Sequence, residues 1–362
     1  MLKDIVNKIH LAERLKFDET LKLYEEADFY QLGQLAHGVR LQKHPEPVVS
    51  YVVDRNINYS NVCICGCRFC AFYRPPGHPE AYVLTREELA RKIEETLDLG
   101  GTQILMQGGH HPDLPFAFYE DMLSFIKSRF PIHIHSFSPP EIVHFAKLEK
   151  TTPAEVVSRL RTAGLDSIPG GGAEILVDSV RKRVSPNKCS ATEWLQVMEE
   201  AHLQGMRTTA TMMFGHEEEL RHRLEHLFAL RDLQDRTGGF TAFIPWPFQP
   251  TNTAIHRSSE SPVAYLRLLA LSRVVLDNFD NIQASWVTMG PKVAQVALYF
   301  GANDFGSTMI EENVVAAAGV HFRLSRKEIC RLIHDAGFRP RQRTMTYQWV
   351  EASDDCTQTM PD

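Results

Sequence analysis

Short apolar runs alternate with amphipathic stretches of helical period along most of this chain. Near its start Phe17, Leu21 and Tyr24 recur at i, i+4 and i+7, one face of a helix, before Pro45 and Pro47 break the pattern. The run 52–62 is the first with strand character. Thr85-Arg86-Glu87-Glu88 follows as a capping box, in which the Thr85 hydroxyl accepts from the Glu88 amide and the Glu88 carboxylate reaches back. Leu89, Ile93 and Leu97 then share a face, and Gly100 suits the helix end. Further strand-like runs are 102–107, 132–137, 166–168, 206–214 and 240–246, the last two rich in Thr, Phe and Ile. A run at 282–288 and a weaker one at 305–309 bring the total to eight, and helical stretches at 192–202, 220–235 and 263–278 lie between them.

Strands alternating with helices imply parallel pairing and right-handed crossovers. About eight such units favour an α/β fold of the (β/α)8 TIM type over an open doubly wound sheet, and the weak last strands leave an incomplete barrel open. The expected organisation is an N-terminal helical extension over 1–48, the barrel over 49–320, and a C-terminal extension over 321–362 that ends in a polar tail after about 350. Reactive side chains of such barrels collect where strands end and loops begin. The unusual residues fall there: a cysteine cluster, then 108–111, 136–141, 170–174 and 249–250.

Composition narrows the chemistry. With 362 residues, 43% hydrophobic and 23% charged, the chain has an ordinary globular balance. Its net charge of −6 is not the basic footprint of a nucleic-acid binder. No apolar run approaches bilayer length, and residues 1–5 carry no secretory apolar core, so no membrane contact and a cytoplasmic location are expected. Four of the seven cysteines, at 63, 65, 67 and 70, crowd into eight residues, while 189, 330 and 356 are scattered. An odd number in such a chain argues against a disulfide framework and points to metal or redox work.

Cys63, Cys67 and Cys70 stand at CxxxCxxC spacing on a short loop. Three thiolates so placed can each bind one iron of a 4Fe–4S cubane and leave the fourth iron open, the mark of a reactive rather than a sealed centre. The competing reading is a zinc knuckle with Cys65 as fourth ligand. Zinc sites usually bring two ligand pairs from separate segments, and no second Cys or His pair here has that spacing.

Cys63, Cys67, Phe69 and Cys70 resemble the signature of the radical S-adenosylmethionine (SAM) superfamily. The wider stretches 54–63 and 67–82 resemble the cyclic dehypoxanthine futalosine synthase family of the futalosine route to menaquinone. Gln107-Gly108-Gly109-His110-His111-Pro112-Asp113, 135–142, 169–175, 209–216, 243–246 and 311–314 agree, so the likeness runs from about 50 to 345. Cys65 departs from it, a thiol in a spacer position. The resemblance implies SAM on the open iron, and a radical that takes a hydrogen from the ribose C4′ of dehypoxanthine futalosine. That carbon then closes onto the benzoate ring. An electron donor such as a flavodoxin or ferredoxin is implied as partner.

The same resemblance distributes roles. Gly108 and Gly109, with His110, correspond to the element that receives the SAM amino group. Ser136, Ser138 and Glu141 suit the SAM ribose hydroxyls, although Glu141 also fits as a helix-start charge. Phe69 is an adenine wall or plain loop packing. Glu174 is a SAM or substrate contact, and Arg183 a partner for the methionine carboxylate. Arg74 and His78 are candidates for the benzoate carboxylate, and Gln249, Asn252 and Thr253 for sugar hydroxyls. Asn313 joins them at the last barrel units, where Asp304 or Glu311 is the candidate acceptor of the proton lost on rearomatisation. Two alternatives stay open: a sister enzyme (aminofutalosine synthase or a deazaflavin-forming synthase), and a non-catalytic iron–sulfur or zinc protein.

Overall fold

In the computed structural model, which describes residues 2–351, every strand pairing is parallel. The strands are β1 (Val48–Val52), β2 (Asp54–Ile57), β3 (Gln103–Met106), β4 (His133–Ser136), β5 (Ser167–Ile168), β6 (Arg207–Phe214), β7 (Phe240–Pro247), β8 (Asn281–Ile282), β9 (Asp304–Ser307) and β10 (Arg339–Gln342). β2 to β8 pair in sequence order. Only Val53 separates β1 from β2, so the two act as one first strand. β9 pairs with β1 on one side, Tyr51 with Gly306 and Val52 with Ser307, and meets the end of β8 through the Gln283–Asp304 bridge on the other. Bonds from Asn303 N to Ile282 O (3.1 Å) and from Ala284 N to Asp304 O (2.9 Å) complete the seam. Hydrogen bonds therefore run right round the ring, and the barrel is closed. β10, which the hydrophobic pattern does not reveal, pairs with the start of β1 outside the ring.

Two expected strands are displaced. The first begins earlier, at Val48, and stops at Ile57, where Asn58 turns its side-chain amide to Gln107 O (3.2 Å). The apolar run at 282–288 leaves the sheet after Ile282. Ser285 N bonds to the Tyr265 hydroxyl (2.8 Å), Trp286 Nε1 to Ser307 O (2.9 Å), and Trp286–Met289 is a helical turn. Its apolar side chains pack on the wall instead of joining it.

The Thr85 capping box forms as the sequence implies, opening helix Arg86–Asp98. Helices Ala191–Leu203, Leu220–Thr237 and Pro262–Val275 match the other expected stretches. Three N-terminal helices, Leu2–His10, Phe17–Glu26 and Phe29–Lys43, precede the barrel, and the last packs on Pro262–Val275. Gly33 makes that region's tightest approach, since a Cβ there would lie 2.7 Å from the Phe300 ring. Among the described residues no helix is long and apolar enough to cross a membrane. Cys330 is disulfide-bonded, whereas Cys63, Cys65, Cys67, Cys70 and Cys189 are free thiols. The polar tail lies outside the described residues apart from Glu351.

Arg273 secures the seam from behind. Fully buried, it donates to Gly301 O (2.7 Å), Asp280 O (3.0 Å) and Asn303 Oδ1 (2.5 Å), and Asn303 in turn donates to Asn281 Oδ1 (2.8 Å). Burial pushes its pKa down to about 9, so it is still charged at neutral pH. Arg273→Met leaves Gly301 O without its donor and Asn303 Oδ1 and Asp280 O with one partner each, Ile282 N and His44. Urea unfolding should show a loss of about 3 kcal/mol or more, and Arg273→Lys, which keeps a donor, should lose less.

Candidate active site

β2 carries the chain to the C-terminal mouth of the barrel, and the loop after it folds back on itself. Cys63 N donates to Arg74 O (3.0 Å) and Arg74 N to Asn61 O (2.8 Å), zipping the two legs together. Cys63, Cys65, Cys67 and Cys70 are free thiols in this loop. The Sγ of Cys63 accepts from two amides, Cys65 N (3.4 Å) and His110 N (3.3 Å). The Cys65 thiol, together with these amides, holds the Cys63 thiol down at about 6, while Cys65 itself is driven far up by the same contact. Cys65 also lies 3.0 Å from His110 Nδ1. A depressed thiol is one ready to bind metal as thiolate. The Cys65 thiol bonds to both the Cys63 and the Cys67 thiol, so three of the four sulfurs lie together.

The loop after β3 presses against these cysteines. A Cβ on Gly109 would lie 2.2 Å from Val62 O and 2.6 Å from Cys63 Cβ, and one on Gly108 would lie 2.3 Å from the Tyr59 ring. Only glycine permits this approach. Glu141, on the helix Pro139–Glu149, holds the loop there. Its carboxylate accepts from the Tyr59 hydroxyl (2.6 Å), Ser138 Oγ (2.7 Å) and Gly108 N (3.2 Å). Burial raises its pKa to about 7 against these donors. Ser136 Oγ donates to Met106 O (2.7 Å). All three residues expected at the SAM ribose thus spend their polar atoms on the fold.

Glu174, at φ +41°, accepts from Lys188 Nζ (2.9 Å) and lies 3.4 Å from Arg181 Nη1. Burial pushes its pKa up, but Lys188 and Arg181 outweigh that and leave it below the usual carboxylate range. Lys188 stands 5.1 Å from the Phe69 ring centre. Arg183, expected at this position, is exposed and donates to Glu217 O (2.8 Å). Residues two apart on the helix Asp178–Val184 point to different faces, and it is Arg181 that turns inward.

Inside the ring is a cavity of about 270 Å³. Gln107, Gly171, Gly172 and Glu174 line its mouth, and Arg343 and Tyr347 its opposite end. His135, kept neutral by burial, Thr209, Thr211, Trp246, Gln283 and Trp286 line its sides. Sequence reading missed all of these wall residues. For Thr209 and Thr211 the period-two spacing along β6 was an available signal.

Other candidates lie elsewhere. Arg74 pairs with Glu80 (2.7 Å) and donates to the carbonyls of Ala71, Phe72 and Tyr73 (3.0–3.2 Å), and His78 Nδ1 accepts from Glu80 N (3.1 Å). Both line a groove beside Cys67 and Cys70 rather than the cavity. Gln249, Asn252 and Thr253 bond to the carbonyls of Pro247, Ala317 and Pro250. Asn313 donates to Glu311 (2.9 Å), and Glu311 is held by Lys92 (2.6 and 2.8 Å) against helix Arg86–Asp98. Asp304 is buried under Ser50, the Gly306 amide and Arg343. Neither acid lines the cavity, which removes the basis for a proton-acceptor role.

Comparison with known proteins agrees with this arrangement. Residues 57–230 match the Radical SAM superfamily and residues 237–356 the CofH/MqnC C-terminal region. The chain is 49% identical over 346 residues to the cyclic dehypoxanthine futalosine synthase of Halalkalibacterium halodurans, spanning 95% of this chain and 94% of that one. It is 43% identical over 359 residues to the Streptomyces coelicolor protein of the same name, spanning 98% and 90%. It is also 43% identical over 333 residues, 90% of each chain, to the 5-amino-6-(D-ribitylamino)uracil–L-tyrosine 4-hydroxyphenyl transferase of Methanopyrus kandleri. The solved FeFe-hydrogenase maturase HydG of Carboxydothermus hydrogenoformans shares the fold, with a TM-score of 0.76 at 18% identity over 96% of this chain and 80% of that one. Barrel and cysteine loop together define a radical SAM enzyme. The chain belongs, within that superfamily, to the cyclic dehypoxanthine futalosine synthase family.

The superfamily works with a 4Fe–4S cluster and SAM. The donor set fits: free thiols, amide N–H groups on Cys63 Sγ, and the Lys188 cation close by.

The Glu141 shift gives a pH signature. Between about pH 4.5 and 7 the folded protein keeps a proton on Glu141 that the unfolded chain has lost, so stability falls as pH rises through that window. Glu141→Gln cannot titrate. Urea midpoints should show it gaining about 3 kcal/mol on the unaltered protein between pH 4.5 and 8.

Proposed function

We propose that the protein converts dehypoxanthine futalosine to cyclic dehypoxanthine futalosine in menaquinone biosynthesis. The observation that carries this reading is a loop of free thiols at the mouth of a closed barrel cavity, in a chain 49% identical to a synthase named for that product. With Cys63, Cys67 and Cys70 each holding one iron and the fourth iron open to SAM, the bound group supplies an electron and an adenosyl radical able to take hydrogen from carbon. The substrate's ribose C4′ would give up that hydrogen to make 5′-deoxyadenosine and bond to the benzoate ring, which would become aromatic again by losing a proton to a carboxylate of the cavity lining and an electron to the cluster left oxidised by SAM cleavage.

The chain's own residues prepare this event. His110 N and Cys65 N support the charge on Cys63 Sγ. Glu141, with Tyr59 and Ser138, positions Gly108 and Gly109 so that backbone rather than side chain meets the ligand. Lys188 lies between Glu174 and Phe69, where it offers a cation to a SAM carboxylate and balances the negative cluster. The closed wall keeps bulk water from a carbon radical. A flavodoxin or ferredoxin serves as electron donor, in the cytoplasm, where the thiols stay reduced. The accompanying division is a helical extension (1–48), a catalytic barrel (49–320) and a C-terminal extension (321–362) that reaches the cavity's far end.

A sister activity of the kind named for the Methanopyrus kandleri relative has the support of 43% identity. One experiment separates the readings. Anaerobically reconstituted protein, given SAM, a strong reductant and dehypoxanthine futalosine, should yield 5′-deoxyadenosine and a product lighter than substrate by two hydrogens, read by mass spectrometry. SAM cleavage without that product would sink the substrate assignment, and stoichiometric zinc with no iron would sink the cluster as well. Cys65→Ala should keep its iron, whereas alanine at 63, 67 or 70 should lose it.

A further inference from the structure

The end of the cavity farthest from the cysteine loop is the least explained part of the barrel. Asp304 opens β9, and Arg343, which reaches it from the segment after β10, therefore lies at the strand-start end of the ring. Among the described residues that line the cavity, Arg343 is the only arginine or lysine. Its Nε donates to Asp304 and its Nη1 to Thr344 O (3.1 Å), while Tyr347 stacks on the guanidinium at 4.0 Å. A guanidinium has five N–H donors in a planar fork. Nη2 makes no hydrogen bond among the described residues.

Two amides share this lining without work of their own. The side chains of Asn56 and Gln283 make no hydrogen bond among the described residues, and Asn56 is 5% exposed with a buried, unpartnered Oδ1. Idle polar groups in a closed interior are costly unless a ligand or water meets them. Above them Leu105, Ile244, Trp246 and Trp286 supply apolar walls of the kind an aromatic ring fills. Asp304 takes only Nε of the fork and shares its oxygens with Ser50 Oγ (2.6 Å) and Gly306 N (2.7 Å), while Asp54, which also lines the cavity, is held by Gln103 (2.7 Å) and Ser307 and is pushed toward protonation by burial.

We propose that the barrel floor is a carboxylate-binding subsite, in which Arg343 Nη2, with Asn56 and Gln283, takes the carboxylate of an aryl carboxylate substrate. The subsite rests on the function proposed above and deepens it. The ring stands between the tryptophans, and the sugar end points up toward the cysteine loop. Arg74 and His78, bound up in their own loop, are released from that duty.

The test is calorimetric binding of dehypoxanthine futalosine and of its primary carboxamide, which needs no turnover. The acid should bind at least about tenfold tighter than the amide, the range lost when a charge-assisted bond is removed. Arg343→Lys should bring the two within about threefold, and Arg74→Met should keep the full preference. If Arg343→Lys fails to fold by circular dichroism, Asn56→Asp decides, since a carboxylate there should weaken the acid about tenfold more than the amide. Equal binding of acid and amide by the unaltered protein overturns the subsite, as does a folded Arg343→Lys that still prefers the acid. Preference for the acid without cyclised product would retain the subsite and reject the proposed reaction.

Discussion

Closure of the ring depends on a buried carboxylate. Asp304 accepts from Ser50 on the first strand, from the Gly306 amide on its own strand, and from Arg343 beyond the last one. One side chain thus ties together the two edges that must meet and the segment that ends the cavity. Beside it Asp54 accepts from Ser307 and Gln103, joining the first strand to β9 on one side and to β3 on the other. Removing one member of such a set strands a charge in low dielectric, which costs more than the set contributes when whole. The seam is narrow in backbone bonds, and these side chains make up the difference.

At the mouth the logic is reversed. Glu141 is held by neutral donors, with no cation bonded to it among the described residues, and burial pulls it toward protonation. Its work is geometric: it sets the Gly108–His110 backbone against Cys63. At the floor Arg343, ion-paired with Asp304, keeps Nη2 unbonded among the described residues, and the mouth offers backbone amides and thiols. A substrate that is anionic at one end and reactive at the other matches this polarity.

Much of this was legible beforehand, for reasons that differ residue by residue. The cysteine trio is local, so spacing alone reveals it. The Thr85 box is local too, and it forms. The strand at 282–288 failed because Trp286 and Val287 are apolar for packing onto the wall, and periodicity cannot tell that from pairing. Arg181 went unnoticed beside Arg183 because helix phase depends on where the helix packs. Ser136, Ser138 and Glu141 have the right chemistry for a diol, yet Ser138 spends its hydroxyl on Glu141, and the partners of Ser136 and Glu141 are Met106, Tyr59 and Gly108, distant in sequence and invisible to a motif. Arg343 gave no signal at all, since it follows every strand it serves.

That order along the chain has a consequence for synthesis. A ribosome releases all eight strands of the ring before it releases Arg343, so a growing chain holds a mouth and walls while its floor is still missing. An unfinished barrel leaves its interior open to solvent from below and lacks the cation opposite the thiols. The cavity gains its floor only when the C-terminal segment that carries Arg343 and Tyr347 has emerged and docked.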